Sequence, residues 1–238
     1  MMPILAPRFL RALRFTLTGG ISLTTLAIIT GSVIYPSIFA LDGAAVYLGL
    51  FVLSAVCYLI FVWVFTRRAP FADGLALRHG LLWGGLLSGL WLIEIMSGNF
   101  GDPSLLLIKF LYFGATLAAF ILPLFAGLLG GLQTGRSRTG TLIGLWGGLL
   151  NGTCACLALV GLGLFFNGKF QHDPQTLREF AHSGAPNLPT YVFGDFLAGG
   201  INHLWLVGPA LGSLFGTLGG LVGAPLAKQR SPSTRRAA

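Results

Sequence analysis

Charged side chains are scarce in this sequence of 238 residues, at 9% of the total, and only seven of them are acidic. An average soluble domain carries about 25% charged residues and uses them to cover its core. Since 54% of the residues are apolar, the chain lacks the polar surface that a soluble fold needs. The composition predicts a polytopic membrane protein.

Cysteines and long polar segments are also few. The three cysteines, Cys57, Cys154 and Cys156, all lie in apolar runs, so no disulfide framework is expected. The longest segment between apolar runs has about two dozen residues, too few to fold around a core of its own. The sequence contains no nucleotide-binding loop or haem-attachment motif. We therefore expect no soluble domain, no cofactor and no resident metal.

Six apolar segments reach the length of about 20 residues that a helix needs to cross the hydrocarbon layer. They cover approximately residues 16–40, 44–66, 80–97, 104–132, 139–166 and 204–226. The expected fold is all-α: one membrane domain, a bundle of six transmembrane helices, with basic tails at 1–15 and 227–238. Residues 3–15 either lie along the membrane interface as a helix or form a plain tail.

The basic residues give this bundle an expected orientation. Twelve of the fifteen flank alternate connections: Arg8, Arg11, Arg14, Arg67, Arg68, Arg78, Arg136, Arg138, Lys228, Arg230, Arg235 and Arg236. Only Lys169 and Arg178 lie in the opposite connections. Basic residues near membrane ends stay in the cytoplasm, which predicts cytoplasmic N and C termini in the plasma (inner) membrane. The net charge of +8 then indicates the anionic inner leaflet as the partner rather than nucleic acid.

Three connecting segments carry local signals. Asp73 is a suitable N-cap for a helix over 74–79 that runs into the third span. The longest connection, about 167–190, contains one stretch expected to be helical, 176–181. Residues 191–203 are interrupted by Gly194, Gly199 and Gly200, which suggests an interfacial or re-entrant piece before the last span.

Glycine occurs 35 times, and two runs place it at every fourth position. These runs are Gly140, Gly144, Gly148 and Gly152, and then Gly208, Gly212, Gly216 and Gly220. Small residues four apart form a groove that lets a neighbouring helix approach closely. We expect glycine-zipper packing that closes the cytoplasmic half of the bundle. The alternative is that one groove forms the interface of a homo-oligomer or a sliding contact used in gating.

Ionisable residues within membrane spans are costly and suggest function. Glu94 and Lys109 lie at similar depth on consecutive spans and are expected to pair across the hairpin, either for function or only to fix the helix register. Asp195, Asn202 and His203 precede the last span on the same outer side. The five residues together form the expected pathway for a substrate or ion.

Glu179 and His182 form an E-x-x-H pair, a spacing that places a carboxylate and an imidazole on one helix face. True di-metal bundles repeat the pair on a second helix, and this chain does not. A solvated polar loop is therefore the preferred interpretation, with metal or proton binding as the alternative.

These features suit a bundle that is closed at the cytoplasmic side and polar at the outer side. We expect a non-enzymatic membrane subunit of a small-solute or ion transporter, working with other membrane subunits or a cytoplasmic ATPase. A non-catalytic accessory or scaffold subunit of a larger membrane complex is the alternative. A membrane enzyme with an outer-face metal site is the third hypothesis.

Overall fold

A computed structural model of the chain describes residues 6–67 and 73–230. Most of the described residues are helical, and none of them forms a strand. The longer helices are α1 (Ala6–Ile34), α2 (Ala44–Trp63), α3 (Gly74–Phe100), α4 (Leu106–Thr134), α5 (Ser137–Phe165), α7 (Pro174–Ser183), α8 (Leu188–Asn202) and α9 (Leu211–Arg230), with a short α6 (Asn167–Phe170). Six helical runs are long and apolar enough to cross a membrane, as the hydropathy of the sequence predicted.

The connections between these runs define two ends of the bundle. We call "arginine end" the end formed by the start of α1, the α2–α3 and α4–α5 connections and the end of α9. The opposite "pocket end" contains the α1–α2 connection, the α3–α4 connection and the segment 166–187 with α6 and α7. Arg67 and Arg136 lie in connections of the arginine end.

The predicted local signals at the arginine end are partly confirmed. Asp73 is the N-cap of α3, and its carboxylate accepts a hydrogen bond of 3.0 Å from the backbone N–H of Leu75. At the N terminus α1 begins at Ala6, so residues 6–15 continue the first spanning helix. Leu13 and Leu17 are buried on the same face of α1. Residues 1–5 and 231–238, which include parts of both predicted tails, lie outside the described residues.

Helix α5 lies at the centre of the bundle and is the most buried of the six spanning runs. It packs against α1, α3, α4, α8 and α9. Thr153 of α5 reaches the open backbone at Gly20 of α1, and Gly84 of α3 faces the backbone of Gly147. A helix surrounded in this way must be apolar or small on every face, which explains why leucine and glycine dominate its sequence.

The two glycine runs face each other across α5 and α9. A Cβ added at Gly140 would lie 2.6 Å from the carbonyl oxygen of Gly216, and one at Gly212 would lie 2.6 Å from that of Gly144. Gly148 faces Gly208 in the same way. Because the obstructing atoms are backbone atoms, these positions leave no room for a side chain.

The last spanning run differs from the prediction. Residues 191–203 are not broken at their glycines: α8, a π-helix over His203–Ala210 and α9 form one helical run, Leu188–Gln229, of 42 residues. The glycines of α8 are points of close packing instead of breaks, since a Cβ at Gly194 would overlap Leu41 and one at Gly200 would press on Cys156. A straight run of that length would measure about 63 Å, twice the hydrocarbon thickness. The run is therefore longer than one crossing requires, and its first part, α8, lies at the pocket end.

The π-helix has a specific partner in α2. In its i→i+5 pattern the carbonyl of Leu204 would pair with the nitrogen of residue 209, which is a proline and carries no hydrogen. The buried hydroxyl of Tyr58 donates to this carbonyl at 2.5 Å. Tyr58 therefore gives this carbonyl a donor that the i→i+5 pattern cannot provide.

Candidate functional site

The pocket end contains a cavity of about 780 Å³, which lies between α3, α4, α6, α7 and α8. Four of the seven acidic residues of the chain line it: Glu94, Asp173, Glu179 and Asp195. Two of its three lysines, Lys109 and Lys169, line it as well. The cavity thus holds more negative than positive side chains, whereas the chain as a whole is strongly basic. We call it the "outer cavity" because the arginine pattern of the sequence predicts that the pocket end faces the outside.

Three of the five predicted pathway residues meet in the outer cavity. Glu94 comes from α3, Lys109 from α4 and Asp195 from α8. The other two are elsewhere. Asn202 is exposed at the end of α8, and the ring of His203 packs edge-to-face against Trp91 with centroids 4.8 Å apart. His203 Nδ1 lies 3.0 Å from the carbonyl oxygen of Gly199.

The expected pairing of Glu94 with Lys109 is replaced by a different contact. Tyr112, one helical turn beyond Lys109 on α4, is the side chain that interacts with the Glu94 carboxylate. No ion pair joins Glu94 to Lys109 in the part of the chain that the structure describes, although both line the cavity. The side chain of Lys109 is exposed.

The ammonium group of Lys169 is bound by residues at the end of α3. Its Nζ donates a hydrogen bond of 2.6 Å to the carbonyl oxygen of Asn99. The same ammonium lies 3.9 Å from the ring centroid of Phe100 and 5.3 Å from that of Phe170, which is the geometry of a cation–π contact. Lys169 therefore ties the segment after α5 to the end of α3 and forms a fixed wall of the cavity.

Helix α7 covers one side of the cavity and none of its residues is buried. Asp173 caps its N terminus by accepting from the Thr176 backbone N–H at 2.8 Å and from the Thr176 hydroxyl at 3.0 Å. These hydrogen bonds hold the pKa of the Asp173 carboxyl below its usual value. The predicted helical stretch 176–181 is part of α7, which extends beyond it at both ends.

Glu179 connects α7 to α8. Its carboxylate accepts hydrogen bonds from Gln175 Nε2 at 2.9 Å and from the Tyr191 hydroxyl at 3.3 Å. The ring of Phe180 lies 5.9 Å from that of Tyr191. These two contacts with one tyrosine are the main attachment of α7 to the bundle.

Asp195 projects from α8 close to this group. Its carboxylate is exposed and makes no hydrogen bond or ion pair with any residue that the structure describes. Within the outer cavity, Asp195 and Glu94 are therefore the carboxylates that are not occupied in capping or holding α7.

The E-x-x-H pair does not gather further ligands. His182 is exposed, and its Nδ1 lies 2.8 Å from the carbonyl oxygen of Arg178. Across residues 6–67 and 73–230, no three His, Cys, Asp or Glu side chains come close enough to hold a metal ion together.

Aromatic side chains complete the outer cavity, and sequence reasoning did not single them out. Phe100, Phe170 and Phe196 form one continuous wall, with centroids 6.0 Å apart for the first pair and 4.7 Å for the second. Tyr112 and Phe113 face it from α4. In the sequence these aromatic residues are spaced in the same way as ordinary lipid-facing or core residues. Only the fold shows that they belong to one site.

Buried polar atoms without partners lie deeper in the bundle. Both amide atoms of Asn151, Trp146 Nε1 and His203 Nε2 make no hydrogen bond with the described residues. Asn151 and Trp146 are completely buried in α5. Such groups are expected to bind internal water.

No protein-family model matches the chain, and no curated protein or solved structure matches it. The class of the protein is therefore defined by its own fold. Six long apolar helices are compatible with a multi-pass membrane protein, and the outer cavity, which is lined by polar and aromatic side chains, lies at one end of the bundle.

Proposed function

We propose that the protein is a membrane subunit of a small-solute or ion transporter and that the outer cavity is its substrate-binding cup. The observation that carries this proposal is the convergence of Glu94, Lys109 and Asp195, from three different helices, on one cavity of about 780 Å³. Ligand pockets commonly have volumes of about 300–1,000 Å³ and combine apolar walls with a few polar groups. Charged residues in membrane spans commonly mark substrate or ion pathways.

The orientation in this proposal follows from the basic residues. Both termini and the arginine end lie in the cytoplasm of a cell with an anionic inner leaflet, and the cavity opens outward. The glycine-zipper contact of α5 with α9 closes the arginine end, since the backbones of Gly144 and Gly212 approach too closely to admit a side chain. Solute then enters from outside and binds without a chemical step.

The energy source in this proposal is a partner. The sequence carries no nucleotide-binding loop, so a cytoplasmic ATPase or further membrane subunits would drive transport. Their contact surface would be the arginine end, where the proposed cytoplasmic connections are short and basic.

A direct test replaces Glu94 by Gln in cells of the source organism and compares their metabolites with those of unaltered cells by untargeted mass spectrometry. The expected result is the loss of at least one accumulated solute, with unchanged protein level and unchanged elution in size-exclusion chromatography. The matched control is Asp42→Asn, because Asp42 is an exposed carboxylate of the pocket end that lies outside the cavity. Equal metabolite profiles for all three strains would refute the transport proposal.

One observation favours the alternative of an accessory subunit. Gly85 and Gly89 lie four residues apart on α3, and a Cβ added at either would meet nothing within 4 Å. A helix of a partner protein could approach this open face closely. In that case Gly85→Leu with Gly89→Leu should abolish copurification of a partner and leave the protein itself folded, whereas Glu94→Gln should have no effect on assembly or solute content.

A further inference from the structure

The charges of the outer cavity fall into two groups. Asp173 is used as the cap of α7, Glu179 as the acceptor for Gln175 and Tyr191, and Lys169 as the donor to Asn99. Each of these charges already has partners that position a helix. These side chains form the walls of the cavity. To bind a ligand they would first have to break their present hydrogen bonds.

The charges that remain are Glu94, Asp195 and Lys109. Asp195 has no hydrogen-bonding partner among the described residues, and Glu94 faces the neutral hydroxyl of Tyr112. Lys109 is exposed, so its long side chain can turn away to water. Two carboxylates but only one ammonium group are left without a structural role. The electrostatic potential inside the cavity therefore favours a positively charged ligand.

The walls of the cavity suit the same guest. Phe100, Phe170 and Phe196 present a continuous aromatic surface, and Lys169 already binds to part of it through a cation–π contact. Tyr112, Phe113 and Tyr191 add rings on the other sides. Aromatic faces beside carboxylates form the usual recognition surface for organic ammonium groups.

A bare metal ion fits this cavity less well. Divalent cations require several oxygen ligands around one point, and within the described ranges no three acidic, histidine or cysteine side chains are grouped that closely. A volume of about 780 Å³ also exceeds the space that one ion occupies and is suited to a molecule with an apolar body.

We infer that the outer cavity binds small organic cations, namely amines in their protonated form with an apolar or aromatic body. Glu94 and Asp195 provide the counter-charge, and the phenylalanine wall of α3, α6 and α8 receives the apolar part. This inference rests on the proposed function, because it names the substrate class of the same cup.

The test measures binding of three matched probes to the full chain in nanodiscs of phosphatidylcholine, a lipid without net charge. The probes are phenethylamine, 2-phenylethanol and phenylacetate, which share one ring and differ in charge. We expect phenethylamine to bind about tenfold more tightly than the alcohol, a difference in the range of a desolvated cation–π contact with a nearby carboxylate. Phenylacetate should bind more weakly than both.

The variants assign the preference to named residues. Glu94→Gln with Asp195→Asn should reduce the affinity for phenethylamine to that of the alcohol, while Asp42→Asn should keep the tenfold difference. Size-exclusion elution and the thermal midpoint show that each variant is folded. If the alcohol or the acid binds as tightly as the amine, if none of the three binds, or if the double variant keeps the preference, the inference is overturned.

The outcomes separate this inference from the transport proposal. Loss of a non-cationic metabolite in the Glu94→Gln cells, with no preference for phenethylamine, would leave the transporter standing and refute the substrate class. A clear preference for phenethylamine with unchanged metabolites would establish the cation site and refute transport as its purpose.

Discussion

The two ends of this bundle are built from opposite kinds of residue. At the arginine end, Gly140 and Gly144 bring the backbone of α5 against the backbone of α9, and no side chain lies between the two helices at these positions. At the pocket end, aromatic and charged side chains hold the helices apart around a cavity of about 780 Å³. The contrast teaches that residue size decides where a membrane bundle is solid and where it is hollow, since lipid provides no hydrophobic drive toward closure.

The largest expected effect comes from placing a larger side chain between α5 and α9 at the arginine end. In Gly144→Leu, the new Cβ would overlap the carbonyl oxygen of Gly212, and backbone atoms cannot rotate aside. Overpacking of this kind typically costs about 1–3 kcal/mol or more, so we expect a large loss of folded protein after heating, measured by fluorescence-detected size-exclusion chromatography.

The matched control for that substitution is Gly114→Leu in α4, where a Cβ would meet nothing within 4 Å. It should leave the thermal midpoint nearly unchanged. If both variants were equally stable, the close approach of α5 and α9 would not be a determinant of the fold.

An intermediate effect is expected where the two ends meet. Tyr58→Phe removes the donor to the Leu204 carbonyl, and a buried acceptor without a partner costs about 1–3 kcal/mol. The thermal midpoint should fall, whereas Tyr47→Phe, which alters a tyrosine of the same helix for which the structure records no side-chain hydrogen bond, should have little effect.

A second substitution sharpens this prediction. Pro209→Ala restores a backbone N–H at the position that the π pattern would pair with Leu204. In a double-mutant cycle, the cost of Tyr58→Phe should therefore be smaller in the Pro209→Ala background. Strictly additive effects would show that Tyr58 does not replace the missing proline donor.

The smallest effect concerns the attachment of α7. Asp173→Ala removes the N-cap, which usually contributes about 1 kcal/mol to a helix. Hydrogen exchange at the amides of α7 should become faster, with global stability unchanged. Asp102→Ala, which removes a comparable side-chain acceptor in the α3–α4 connection, should leave exchange in α7 as it was.

The same cap gives a direction for pH dependence. The pKa of Asp173 is lowered in the folded protein, so its contribution is complete above the usual carboxyl pKa and is lost as the pH falls through the lower, folded value. Protection of α7 should decrease in that acidic range, and Asp173→Ala should not show this decrease. Identical pH profiles would assign the change to another group.

The spanning helices could be predicted from the sequence because hydropathy and length alone determine them. The sequence placed Glu94 and Lys109 at similar depth and Asp195 on the same side of the bundle, and all three line one cavity. The neighbour of Glu94 could not be predicted in this way, because Lys109 and Tyr112 are one helical turn apart and depth alone does not distinguish them. The role of the glycines in α8 is also ambiguous in the sequence. Gly194 and Gly200 suggest interruptions of the helix, whereas in the fold they contact Leu41 and Cys156.

The π-helix and its tyrosine partner could not be predicted at all. An i→i+5 pattern arises when tertiary packing re-registers a helix, and Tyr58 and Leu204 are 146 residues apart in the sequence. The aromatic wall of the outer cavity has the same origin, because its members come from α3, α6 and α8.

We propose that the pocket end contains a cavity that is open to the outside, while the arginine end is closed. Labelling of single cysteines in intact cells with a membrane-impermeant maleimide tests it most directly, after replacement of Cys57, Cys154 and Cys156 by Ala. Glu94→Cys, which lines the cavity, should be labelled from outside. Thr141→Cys, whose parent hydroxyl contacts Thr217 of α9 at 2.9 Å, should stay unlabelled from either side. Labelling of Glu94→Cys only after the cells are opened, or ready labelling of Thr141→Cys, would contradict the account.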